Sequence, residues 1–307
     1  MFTGRTTRTI AATAIAALAA LALAGCGGNP LDEPTKEPAA TGGTDQTIVV
    51  GSQAYYSNTI IAEIYAQALE HDGFTVKRQF NIGQRDAYMP EVESGAINLF
   101  PEYTGNLLEY LDKSTKATGP DEVYAALKTA LPDGLVALDY AQATDQDTYT
   151  VTKATADKYG LVEIGDLAKA DKKLTIGAAP EFEQRPYGPA AAKADYGVDL
   201  AFSATGPTTL EALLAGTIDV ADIYSADPAF QTEKLVALKD PKNMILSSNV
   251  VPIASKDIAD KISKTINAVS AKLTVEQLVG LNVQSTVDKK EPTAIAKAWL
   301  ADQGLAG

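Results

Sequence analysis

The 307-residue chain has one cysteine, Cys26, and one histidine, His71. A single thiol cannot close an intrachain disulfide, and no Cys/His zinc set can be assembled. A nucleophile–histidine pair would have to use His71. The stretch "ALEHDGF" instead puts that residue at a helix end, where the macrodipole favours a cation. No H-E-x-x-H, G-x-x-x-x-G-K-[ST], G-x-S-x-G or G-x-G-x-x-G motif occurs, so no metal, phosphate-loop, esterase or dinucleotide cofactor site is expected. Basic residues are few as well. Lys and Arg number 26 against 39 Asp and Glu, and the net charge of −13 argues against a nucleic-acid partner, which needs clustered cations. Carboxylates could still do acid–base work, so an enzyme is disfavoured and not excluded. What is present is apolar surface to bury. Hydrophobic residues make up 46% of the chain, enough for a packed core in one large or two medium domains.

Arg5 and Arg8 precede an apolar run from Ile10 to Ala22, too short to span a bilayer well and read as a signal peptide over residues 1–25. The run ends in Leu23-Ala24-Gly25-Cys26, which resembles the lipobox of bacterial lipoproteins, in which the cysteine is acylated and becomes the first mature residue. Residues 26–46 are rich in Gly, Pro, Thr and charge and read as a lipid-anchored flexible linker. The expected location is the extracytoplasmic face of a bacterial cytoplasmic membrane. No later stretch is apolar enough to be a transmembrane helix.

From Thr47 the chain alternates strand and helix patterns. "TIVVG" reads as a strand, 58–71 as a helix with apolar residues at helical spacing, "FTVKRQF" as a strand, 84–94 as a helix and "AINLF" as a third strand. The same grammar returns at "LTIGAAP", 187–195, "LAFSATG", 207–215 and "TIDVADIYS", followed by an extended "MILSSNVVPIAS" and helices over 256–271, 274–280 and 291–303. Such alternation predicts an α/β fold with mainly parallel sheets.

Two segments match. "ESGAINLFPEYTG" and "LAGTIDVADIYSA" each close a helix on glycine and reach a tyrosine eight residues later, Gly95 to Tyr103 and Gly216 to Tyr224. Each tyrosine is expected just past the carboxyl end of a strand, where open α/β sheets bind ligands. Two such sheets face to face would put Tyr103 and Tyr224 on opposite walls of one cleft.

At these residues the chain resembles the glycine betaine/choline/carnitine substrate-binding proteins of ABC importers. The likeness runs over 47–305 and is carried by "VGSQAYYSNTIIAEIYAQALE", "LFPEYTGNLLEYL", "EFEQR", "IDVADIYSADP" and "IAKAWLADQGL", with Pro101-Glu102-Tyr103-Thr104-Gly105 the most specific piece. It implies a type II periplasmic binding protein with two lobes, two crossings and a ligand cleft. Lobe one would comprise 47–145 plus 248–307, and lobe two 146–247. It also implies an ABC permease as partner and no enzymatic step. A quaternary ammonium offers no N–H, so aromatic faces must hold it by cation–π attraction and burial, each contact worth roughly 0.5–2 kcal/mol. A ligand carboxylate, if present, asks for an arginine.

Carried over from the family, the cage includes Tyr103, Tyr224 and Tyr149, the last from "DTYTV"; Arg185 in "EFEQR" matches the carboxylate-binding arginine. Asn106 stands where the family has a binding threonine, and Asp227 matches the acid after the lobe-two tyrosine. Three departures stand out. Gln53 replaces a lysine after the first strand, Ser248-Asn249 stand where a cage ring is often found, and Tyr187 replaces an aspartate. Tyr55 or Tyr56 could restore the aromatic wall or simply pack the loop. Arg185 could instead pair with Glu181 or Glu183, and Glu102 is expected to support the turn or meet the permease. The expected function is a lipid-anchored receptor for a quaternary-ammonium or zwitterionic solute. The alternatives are a receptor of the same fold for an amino acid, polyamine or aromatic compound, or a secreted carboxylate-dependent enzyme.

Overall fold

The structure is a computed structural model and describes residues 47–305; the expected signal peptide, Cys26 and the linker lie outside the described residues. The first half builds β1 (Ile48–Gly51), α1 (Tyr56–His71), β2 (Val76–Gln79), α2 (Arg85–Glu93), β3 (Leu99–Tyr103), α3 (Thr104–Leu111), α4 (Pro120–Ala130) and β4 (Leu135–Ala137). The second half builds β5 (Tyr149–Thr152), α5 (Lys153–Tyr159), β6 (Thr175–Ala178), α6 (Pro189–Tyr196), β7 (Ala201–Ala204), α7 (Thr209–Leu214), β8 (Val220–Asp222), α8 (Ala229–Thr232) and β9 (Leu235–Ala237). The chain then returns through β10 (Val250–Ser255) and ends in α9 (Lys256–Lys272), α10 (Val275–Thr286) and α11 (Pro292–Asp302).

The strands form two five-stranded sheets on one plan, β2-β1-β3-β10-β4 and β7-β6-β8-β5-β9. In the first, β1 runs parallel to β2 and β3, and β10 is antiparallel to β3 and β4. In the second, β6 runs parallel to β7 and β8, and β5 is antiparallel to β8 and β9. Each lobe thus receives one reversed strand from a chain that has just crossed from the other. This is the α/β fold expected from the alternating grammar, arranged in the two lobes that the family resemblance implies.

α1 is the centre of lobe one. Ile60, Ile61, Ile64, Tyr65 and Leu69 are fully buried, and the helix packs against α9, α10 and α11. The C-terminal helices therefore complete the first core. Gly95 and Gly216, which close the helices at the head of the two matched segments, both adopt the left-handed conformation, with φ of 75° and 72°, that glycine reaches without a steric penalty.

The third strand differs from expectation. It runs Leu99–Tyr103, not 96–100. Asn98 turns the chain into it, its side chain accepting from Val49 N–H and donating to the Gly95 carbonyl. Pro101 then sits inside the strand opposite Pro252 of β10. Facing each other, the two prolines have no N–H to lose from the ladder, so neither breaks it.

Candidate functional site

The lobes are joined by two segments, 138–148 and 238–249, that run side by side. Asp145 N–H donates to the Ser248 carbonyl at 3.1 Å, Ser248 N–H to Gln146 Oε1 at 2.9 Å, and Thr144 pairs with Asn249 in a β-bridge. Above these crossings, between the sheets, lies a cavity of about 290 Å³ lined by Gln53, Ala54, Tyr55, Gln84, Arg85, Tyr103, Asn106, Asp145 and Tyr224. That volume suits a small solute.

Each lining group is placed by its element. Gln53, Ala54 and Tyr55 form the loop between β1 and α1, and Asn58 clamps that loop by accepting from Gln53 N–H and donating to the Pro101 carbonyl at 2.8 Å. Tyr103 is the last residue of β3 and is only 5% exposed. Its hydroxyl has no hydrogen-bond partner among the described residues. Tyr224 lies two residues beyond β8 and is 52% exposed. Asn106, in the first turn of α3, accepts from the Ser248 hydroxyl at 2.5 Å.

The sequence-expected residues divide into three groups. Gln53, Tyr55, Tyr103, Asn106 and Tyr224 are brought together around the cavity. Tyr56 and Asp227 stand behind it. The Tyr56 ring packs on Tyr55 at 4.7 Å between centroids, and Asp227 accepts from Ala229 N–H at the start of α8. Tyr149 and Arg185 lie elsewhere. Tyr149 opens an interior strand, its ring fully buried in the second core near Phe182 and its hydroxyl donating to the Tyr187 carbonyl at 2.8 Å. Arg185 is exposed after the short turn Pro180–Gln184 and pairs with neither Glu181 nor Glu183. Its charge instead reaches Glu109, Tyr187, Asp222 and Tyr224.

The departures from the family pattern have structural reasons. Ser248 and Asn249 are buried and stitch the crossings: the Asn249 side chain donates to the Ala141 carbonyl, and its backbone N–H donates to Thr104 Oγ1. A ring there would displace these bonds. Tyr187 donates to Asp147 Oδ2 at 2.9 Å and joins the Tyr149–Phe182 cluster. Glu102 is 1% exposed, so it cannot meet a partner protein; both its oxygens are held by Arg85, Tyr88 and Tyr103 N–H.

Gln84, Arg85 and Asp145 were not foreseen. Gln84 and Arg85 begin α2, and nothing local marks them. Asp145 stands in "ATDQDTYT", a polar run whose acids were the one available signal. Burial pushes the Asp145 carboxyl up to about 7 against the pull of the Tyr55 hydroxyl; Asp227 and Asp147 add to the rise. Burial and the facing Asp147 carboxyl likewise push Asp222 up.

A family model described as the substrate binding domain of ABC-type glycine betaine transport systems matches residues 46–302. The carnitine transport binding protein OpuCC of Listeria monocytogenes is 26% identical over 274 residues, covering 86% of this chain and 89% of the relative. The glycine betaine-binding protein YehZ of Escherichia coli is 22% identical over 276 residues, covering 84% and 90%. A crystal structure of a glycine betaine/carnitine/choline ABC transporter protein superposes with a TM-score of 0.79 at 23% identity, covering 85% of this chain and all of the other.

Proposed function

Because the chain belongs to the family of substrate-binding domains of ABC-type glycine betaine transport systems, we propose that it captures a small quaternary-ammonium solute between its lobes and delivers it to an ABC permease. The family is one of extracytoplasmic binding proteins and not of enzymes, so no bond is made or broken. The observation that carries the reading is the cavity wall: Tyr55, Tyr103 and Tyr224 come from both lobes around one small space. Three aromatic faces supply what a ligand without N–H donors needs. We further propose that Cys26 carries a lipid that holds the receptor at the membrane, with residues 26–46 as its leash, the positions that match the lipobox and its linker.

Titration calorimetry with glycine betaine, choline, carnitine and proline betaine tests the reading. Saturable heat is expected for at least one of them. Tyr224→Ala, at a half-exposed position that the fold does not need, is expected to weaken binding by about tenfold, the loss of one ring contact. Tyr103→Ala is expected to weaken it at least as much, with circular dichroism to check the fold. No heat with any of the four from folded protein overturns the quaternary-ammonium assignment and favours a receptor for another solute. Gln53 and the ring-free Ser248-Asn249 segment would then mark the rebuilt positions.

A further inference from the structure

We infer that Asp145 is the counter-ion for the ligand's cationic group, and that it sets the cavity to take solutes of net positive charge in preference to zwitterions. The inference rests on the reading above and narrows its substrate class.

Asp145 lies on the first crossing, at the floor of the cavity, and is 6% exposed. Its Oδ1 has no hydrogen-bond partner among the described residues. A buried carboxylate held only by neutral groups, here the Tyr55 hydroxyl and the Ala226 N–H, is still costly, and three remedies exist: a proton, a fixed cation or a bound one. No fixed cation is offered. The only positively charged lining residue, Arg85, spends its fork on Glu102, with Nε and Nη2 each 2.8 Å from a carboxylate oxygen. What faces Asp145 is aromatic or acidic: Tyr55 and Tyr56 from the loop entering α1, Tyr103 from β3, Tyr224 and Asp227 from the segment after β8, and Asp147 on its own crossing. A cation seated among Tyr55, Tyr103 and Tyr224 would meet ring faces and this carboxylate at once.

The same surroundings count against a zwitterion. In glycine betaine a single carbon separates the ammonium from the carboxylate. Seating its cation beside Asp145 brings a second carboxylate close to the first in a poorly solvated space, where like charges repel strongly. Arg85 is already neutralised by Glu102, and Arg185 does not line the cavity. Choline brings the cation and a neutral hydroxyl, which can pair with Asn106 or with the unpartnered Tyr103 hydroxyl.

Ionisation links binding to pH. Burial leaves much of the Asp145 population protonated near neutrality. A bound cation favours the ionised form, so binding expels the proton. Affinity therefore rises with pH while the free protein is still protonated, and levels off once it is ionised. For a carboxyl that titrates at about 7, choline should bind about tenfold tighter at pH 8 than at pH 6.

The experiment is calorimetry with choline and glycine betaine at pH 6, 7 and 8. It is run in two buffers of different ionisation enthalpy to count released protons, on the wild type, Asp145→Asn and Tyr224→Ala. The expected result is choline preferred over glycine betaine at pH 8, with proton release at pH 6. Asp145→Asn should bind choline at least tenfold more weakly with a flat pH profile, and glycine betaine as well as before or better. If Asp145→Asn does not fold, the wild-type pH profile and the choline-to-betaine ratio decide alone. Choline binding that needs Tyr224 but is flat between pH 6 and 8, or a wild-type preference for glycine betaine at pH 8, overturns this inference and leaves the receptor assignment standing. No binding by either ligand or by the other quaternary ammoniums overturns both.

Discussion

Glu102 accepts four hydrogen bonds: Arg85 Nε and the Tyr88 hydroxyl on one oxygen, Arg85 Nη2 and Tyr103 N–H on the other. With the carboxylate saturated and buried, β3 can carry an acid in its interior and still present Tyr103 to the cavity. The balance depends on both partners. Arg85→Ala would leave Glu102 buried without its cation, and breaking such a pair typically loses about 3–5 kcal/mol. Urea denaturation is expected to show a loss of that order, largely recovered in Arg85→Ala/Glu102→Gln. An unchanged midpoint in the single variant would mean that water reaches Glu102. The pair is 17 residues apart in sequence and joins a helix start to a strand end, so no local pattern announced it.

β3 and β8 carry the matched segments but end differently. β3 is zipped to β10 up to its last residue, Val250 opposite Tyr103, and α3 begins at once with Thr104. β8 ends at Asp222, opposite Tyr149, and its backbone goes on pairing with the first crossing through Ile223 and Thr148 and through Ser225 and Gln146, so the Tyr224 ring stands half-exposed on a held segment. The equal glycine-to-tyrosine spacing thus yields one rigid buried ring and one half-exposed ring. The abrupt start of α3 also explains Gly105. A Cβ there would sit 2.8 Å from the Ser247 carbonyl and 3.2 Å from Leu246 Cβ, so α3 rests directly on the return crossing. Gly105→Ala is expected to destabilise the fold by about 1–3 kcal/mol, the usual range for overpacking. It should also weaken ligand binding, because Asn106 and Ser248 would be forced apart. Thermal melting and titration of the variant would check both effects, and normal behaviour in both would show that the crossing yields without consequence.

Two sheets on one plan, joined by paired crossings, put the binding surface between two bodies and not on either. Under the proposed function, ligand contacts would favour whichever lobe arrangement brings Tyr103 and Tyr224 nearest, which is how hinge closure around a solute is driven. Among the described residues no helix is long and apolar enough to cross a membrane. The lipid proposed on Cys26 is tested by itself. Cys26→Ser is expected to move the protein from the membrane to the soluble fraction in an acylating bacterial host, with loss of metabolic fatty-acid label. Continued labelling would place the lipid elsewhere.

Much of the fold was legible because secondary structure follows local periodicity. The β-branched run at 47–51, the apolar stripe of α1 and the glycines that end helices needed no distant partner to be read. The cavity was legible in part for the same reason: Tyr103 and Tyr224 share a spacing, and Gln53, Tyr55 and Asn106 sit in a recognisable motif order. Tyr149 reads like a cage residue, but its strand became interior and took the ring into the core. Ser248 and Asn106 are 142 residues apart and meet only when the crossings align. Composition determined an acidic, disulfide-free chain without the motifs of common enzymes, and residue order determined two alternating α/β halves. Which rings line the cavity, which arginine is already neutralised and which carboxylate is left without a cation were decided by tertiary contacts, because burial and pairing depend on residues that only the fold brings together.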